Sequence, residues 1–177
     1  MKGEGEQIFL RPSRAEDLGF ITALERHPDN RELIGQWSDE EHLAAIAGRG
    51  RWSHWIIEAD GRPAGYLIPR DCVEEGAGIY VKRILVADKE RGIGQRALSR
   101  FLDAAFAREA VGFVWLIVRN GNARAQSVYR KLGFTRFEPA GAEAQRFDAV
   151  AEAPLDKCFR MLLGRRGELS GGSRDLP

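Results

Sequence analysis

The chain has 177 residues, 44% hydrophobic and 30% charged, with 27 lysines and arginines against 26 aspartates and glutamates. That length suits one domain whose core needs no disulfide or metal staple, and the composition excludes a wholly disordered chain. A formal net charge of +1 argues against a dedicated nucleic-acid binder, which carries a strong basic excess.

Cys72 and Cys158 stand far apart and form neither a zinc spacing nor a disulfide framework. Met1–Glu6 holds no apolar leader, and no later stretch approaches the roughly 18 apolar residues of a membrane span. The expectation is a soluble cytoplasmic protein without metal, nucleic-acid or membrane partners.

In chain order, residues 7–12 read as a short strand closed by Pro12. Ser13 and Glu16 make a capping-box pattern ahead of Leu18, Ile21 and Leu24 at helical spacing, and the helix ends at His27-Pro28. Ser38 and Glu41 repeat the pattern before Leu43 and Ile46, with a stop near Gly48. Residues 52–58 and 64–68 flank Asp60-Gly61, a strong hairpin signal. Residues 78–87 read as a long strand, and a helix is expected from about Gly94 to Glu109. Residues 113–118 form a continuous apolar run, as in a strand buried on both faces. A helix over about 123–132 ends at Gly133, and strands near 134–138 and 157–163 close the order. Residues 139–154 read as a loop and the tail from Gly164 as flexible. The fold class is α/β.

Between the long strand and its helix runs Lys89-Glu90-Arg91-Gly92-Ile93-Gly94. Glycines let backbone N–H groups turn toward an anion, and a helix N-terminus adds about half a positive charge. Arg91 and Arg96 flank the turn and are able to pair with phosphates. The loop lacks the Gly-Lys-Ser/Thr ending of a P-loop. By itself it reads equally as a tight strand-to-helix turn with solvated arginines.

The later run Asn122, Ala125, Tyr129 and Lys131-Leu132-Gly133-Phe134 changes that balance. With the glycine loop before it, the stretch from Ile79 to Phe134 resembles the GNAT superfamily of N-acetyltransferases. The family's cofactor motif, Arg/Gln-x-x-Gly-x-Gly/Ala, is matched from Lys89 to Gly94 with Lys89 as a departure at the first position. The later motif is matched in full. The short loop and the Val81-Lys82-Arg83-Ile84-Leu85-Val86 run are similar to the subgroup that includes the ribosomal-protein N-terminal acetyltransferases.

The resemblance implies a mixed, mostly antiparallel central sheet with a splayed fourth and fifth strand and about four helices on both faces. It implies one acetyltransferase domain over 1–163, followed by the tail 164–177. It implies acetyl-CoA as cosubstrate, with no metal. The backbone of Ile84, Leu85 and Val86 would bond the pantetheine arm, and the N–H groups from Lys89 through Arg91, Gly92 and Ile93 to Gly94 would hold the pyrophosphate. Asn122 would reach the pantetheine, and Tyr129 would contact the cosubstrate and protonate the departing thiolate. The expected partners are acetyl-CoA and an amine acceptor, with a homodimer left open.

The general base is less legible. Positions where relatives carry a carboxylate hold Ile117 and Tyr80, which leaves Glu58, Asp71, Glu74, Glu75 and His54 as candidates. Acceptor choice falls to residues 26–42, where carboxylates would attract a cationic amine and Trp37, or Trp55 outside that stretch, would cover its apolar part. The reading is an N-acetyltransferase using direct transfer to a peptide α-amine or a small amine. The alternative is a non-catalytic acyl-CoA-binding regulatory or interaction module.

Overall fold

The computed structural model describes residues 6–151 and 156–165. Among these, seven strands pair into one sheet in the order β1-β2-β3-β4-β5-β7-β6. The strands are β1 (Ile8–Pro12), β2 (Trp55–Ala59), β3 (Arg62–Asp71), β4 (Ile79–Val86), β5 (Phe113–Arg119), β6 (Thr135–Phe137) and β7 (Cys158–Gly164). Every neighbouring pair is antiparallel except β4 and β5. The tail expected from 164 lies outside the described residues beyond Arg165, whose N–H donates to the Gly112 carbonyl.

The helices are α1 (Leu18–Arg26), α2 (Pro28–Arg31), α3 (Asp39–Ile46), α4 (Ile93–Phe106), α5 (Ala123–Lys131) and α6 (Gly141–Ala151). This is six rather than about four. Pro28 restarts a single turn where a stop was expected, because proline suits the first helical position. The larger miss is α6, read as a loop. Its Phe147, Val150 and Ala151 recur at helical spacing and are buried beside Trp115 and Tyr80. Tertiary burial outweighs the weak amphipathicity of that Ala-rich segment.

The caps divide likewise. Ser38 Oγ accepts from Glu41 N at 3.2 Å while Glu41 returns a bond to Ser38 N at 2.7 Å, the expected capping box. Ser13 does not cap. Its hydroxyl lies 2.8 Å from His54 Nδ1, and Asp17 takes over by accepting from Arg14 N. The hairpin turn has positive φ at both Asp60 (49°) and Gly61 (75°), which matches the strand twist.

Helices α4 and α5 cover one face of the sheet, and α1, α3 and α6 lie on the other. On the first, Ile79 and Val81 of β4 and Val114, Leu116 and Val118 of β5 meet Leu98 and Leu102 of α4. On the second, Tyr66 and Ile68 of β3 meet Ile21 and Leu24 of α1. Alternation along each strand puts successive side chains on opposite faces.

Candidate active site

Strands β4 and β5 touch only at their first residues, with Ile79, Tyr80 and Val81 opposite Val114, Trp115 and Leu116. Past that point each keeps its other neighbour. Ile84, Leu85 and Val86 stay opposite Leu67, Tyr66 and Gly65 of β3, while Ile117, Val118 and Arg119 stay opposite β7. The result is a fork. Along its β4 side, the backbone groups of alternate residues that are not turned to β3 face the gap, and amide-bearing ligands bond such edges as an added strand would.

A bulge opens the fork. The register jumps from Ile68↔Arg83 to Pro69↔Val81, so Lys82 is the extra residue on β4. Such an insertion bends its strand and increases local twist. It also resets the alternation. Without it Arg83 would share a face with Ile79 and Val81; with it Arg83 and Leu85 turn to the α1 face and Ile84 and Val86 to the α4 face.

The glycine loop follows β4 directly. Gly92 sits at the N-cap of α4 with φ 72°, a conformation that favours glycine, and α4 then runs for 14 residues. The loop's cations already engage carboxylates and carbonyls. Arg91 and Arg96 each hold one oxygen of Glu6 at 2.7 Å, and Lys89 Nζ donates to the Asp29 carbonyl at 3.2 Å. A carboxylate thus bridges two guanidinium groups beside the helix N-terminus, which fits a loop built for an anion.

Asn122 is the N-cap of α5, and its Oδ1 accepts from Ala125 N at 3.1 Å. Its NH2 group and the second lone pair of Oδ1 are left to face a ligand. Tyr129, seven residues on, packs against Phe134 with ring centroids 5.9 Å apart. Burial alone pushes its phenol up to about 12. The fork, the loop and the start of α5 therefore bring the cofactor candidates to one end of the sheet.

The base candidates do not gather there. Glu58 accepts from Arg11 at 2.7 Å two strands away on β2, and Asp71, at the closed end of the fork opposite Ile79, pairs with Arg108 at 2.6 Å. Glu74 and Glu75 both pair with Arg51. His54 is buried and pushed down to about 3, chiefly by desolvation and next by His42. Tyr80 stacks on Trp115 at 4.4 Å, and Ile117 is the first β5 residue past the fork.

A buried polar cluster escaped the sequence reading. Glu25 of α1 is 2% exposed, and its Oε1 accepts from both Arg83 and the Tyr66 hydroxyl. His42 Nε2 lies 3.3 Å from the same oxygen, His42 Nδ1 is 3.2 Å from His54 Nε2, and Ser13 ends the chain. Desolvation is the largest single influence and raises the Glu25 carboxyl, but the His42, Arg83 and Tyr66 contacts together outweigh it and hold that carboxyl below its ordinary range. One signal existed: Glu25 falls four residues after Ile21, on the buried stripe of α1.

Residues 15–134 match the model of the family described as Acetyltransferase (GNAT) family. The chain belongs to the GNAT acetyltransferase family. Family membership makes it an acetyl-CoA-dependent N-acetyltransferase. Among sequence relatives, it is 26% identical over 140 residues to spermidine N(1)-acetyltransferase of Escherichia coli strain K12, covering 72% of this chain and 73% of that one.

Among solved structures, it superposes on aminoglycoside acetyltransferase AAC(6')-Ib in complex with coenzyme A with a TM-score of 0.72. The identity is 17%, covering 90% and 96% of the two chains. A spermidine N-acetyltransferase variant from Vibrio cholerae gives a TM-score of 0.67 at 19% identity, covering 89% and 94%. Both are GNAT neighbours in fold. Among the described residues no helix is long and apolar enough to cross a membrane, and no group of three His, Cys, Asp or Glu residues is placed to hold a metal ion.

Proposed function

We propose that the chain moves the acetyl group of acetyl-CoA directly to a primary amine within a ternary complex. The observation that carries this is the fork: unpaired β4 backbone leads straight into an anion-ready glycine loop. In this reading Ile84, Leu85 and Val86 bond the pantetheine amides through their backbone. The N–H groups from Lys89 to Gly94 hold the pyrophosphate, and Asn122 donates to the pantetheine through its NH2 group. The bound cosubstrate supplies a thioester that an amine attacks.

Tyr129 donates a hydrogen bond to the sulfur as it leaves. A lysine-type amine has a pKa near 10.4, so it must lose a proton before attack, whereas an α-amine near 7.7–8.0 is already substantially neutral. Once the amine is free, proximity supplies much of the rate. No carboxylate among the base candidates stands at the open fork, so we assign the amine's proton to solvent.

For the acceptor we favour a small cationic amine, in keeping with the spermidine acetyltransferases among the relatives. Between residues 26 and 42, Asp29, Glu32, Asp39, Glu40 and Glu41 are all exposed, with Arg26 and Arg31 in the same stretch and Lys89 beside Asp29 against them. That surplus draws cations toward the site. The residues 1–163 are taken as one unit for this activity.

The test is release of CoA thiol on mixing the protein with acetyl-CoA and, in turn, spermidine, an aminoglycoside and a short peptide. Turnover with the polyamine above the peptide is expected. Tight acetyl-CoA binding with no turnover on any amine would favour a non-catalytic acyl-CoA-binding module. Absence of acetyl-CoA binding would overturn the cofactor assignment itself.

A further inference from the structure

The segment between α1 and α3 is tied to both arms of the fork through its own backbone carbonyls. From β4, Arg83 donates to the Gly35 carbonyl. From β5, Arg119 Nε donates to the Leu33 carbonyl at 3.2 Å. From the glycine loop, Lys89 donates to the Asp29 carbonyl. Three cations from three elements therefore hold one short stretch, residues 29–37, across the gap where β4 and β5 part.

The β4 tie is backed from behind. Arg83 spends its other nitrogen on Glu25, and Glu25 Oε2 accepts from Trp37 N at 3.4 Å. Gln36 Nε2 donates to the Glu25 carbonyl at 3.3 Å. One buried carboxylate thus fixes both the guanidinium that grips Gly35 and the residue two positions on. The bulge at Lys82 is what turns Arg83 to this face.

We propose that Glu25, Arg83 and Arg119 are positioning residues, which hold 29–37 as a strap across the fork and so set which acceptor amines enter it. The inference rests on the acetyl-transfer reading and deepens it. None of the three touches the reacting atoms. They act through the strap, whose Trp37 stands 5.4 Å from Trp52 and 5.5 Å from the Lys82 ammonium as an aromatic wall. A wall held this way discriminates among acceptors by shape. A loose one would admit more amines with weaker affinity.

Arg83→Lys keeps the charge beside Glu25 but lacks the planar fork that reaches Glu25 and Gly35 together. It should raise the acceptor KM about tenfold, the effect of losing one charge-assisted bond, with the acetyl-CoA KM within about twofold. Arg119→Gln, at an exposed site, should shift the same constant in the same direction and leaves the buried pair intact. Glu25→Gln should do so more strongly, and Arg119→Gln keeps the proposal testable if that protein does not fold.

Amide hydrogen exchange supplies a second measurement: Arg83→Lys should speed exchange at 33–37 and leave β3 and β5 unchanged. Equal rises in both KM values, or faster exchange with an unchanged acceptor KM, overturns the proposal. If the wild-type protein acetylates no amine, the acetyl-transfer reading fails and takes acceptor choice with it. The exchange experiment then still decides whether these residues pin the strap.

Discussion

Tyr129 shows how burial narrows a chemical role. Its phenol, pushed up to about 12, stays protonated throughout the working pH range. A thiol of the cysteine type titrates near 8.5, so full proton transfer from this phenol to the thiolate is uphill by roughly 5 kcal/mol. In the proposed reading the residue therefore acts as a donor that stabilises charge gathering on sulfur, with the proton arriving later from water. Tyr129→Phe should lower kcat about a hundredfold, the usual scale for losing one such donor, with little change in the acetyl-CoA KM. The wild-type rate should show no alkaline limb from Tyr129 between pH 7 and 10. Initial rates across that range decide the matter, and an unchanged kcat reduces the ring to packing against Phe134. The placement of Asn122 at the N-cap of α5 and of Tyr129 within that helix was legible because their seven-residue spacing is local. Glu25 was not, because its partners lie 17, 41 and 58 positions away, at His42, Tyr66 and Arg83.

Among the elements, the glycine loop combines two demands on one short turn. In the proposed reading its arginines attract a pyrophosphate, yet Glu6, two residues before β1, already bridges Arg91 and Arg96. At the proposed cofactor site Glu6 therefore competes with the cosubstrate for the same guanidinium groups. Removing its charge in Glu6→Gln should tighten acetyl-CoA binding about two- to fivefold at low salt, an advantage that fades as salt screens the loop. Titration calorimetry at two ionic strengths would show it. Weaker binding in the variant would mean that Glu6 instead supports the loop. Gly92→Ala tests the backbone: at φ 72° an alanine costs about 1 kcal/mol and would tilt the N–H groups away from the proposed pyrophosphate. These elements were readable because strand, glycine turn and helix each leave a local pattern. The bulge at Lys82 was not readable. An inserted residue in an apolar strand looks like ordinary alternation until the partner strand shows two residues facing one. The helix α6 was missed for the related reason that only the tertiary pocket beside Trp115 explains Phe147.

At the scale of the whole molecule, the buried cluster makes stability depend on pH well above the carboxylate range. His54 titrates near 6.5 in an unfolded chain and is pushed down to about 3 in the fold, mainly by desolvation. As pH falls below 6.5 the unfolded chain takes a proton that the folded chain refuses, so stability is lost progressively until pH approaches 3. The charged groups around it divide in sign. His42 and Arg83 oppose a charge on His54, and Glu25 and Asp17 favour one without overcoming them. Glu25 adds a separate loss. Its folded pKa lies below the ordinary 4.5, so its contribution is complete above 4.5 and disappears only as pH falls through the lower value. Between pH 6.5 and 5 the histidine therefore dominates, and the cost at pH 5 is about 2 kcal/mol. For a chain of this size that corresponds to a fall in Tm of roughly 4–8 °C. His54→Gln carries no proton in either state. Calorimetric scans at pH 7.5, 6.5, 5.5 and 5.0 should therefore show a flatter slope for the variant, even though its Tm at pH 7.5 starts lower. Parallel slopes for the two proteins would remove His54 from the account.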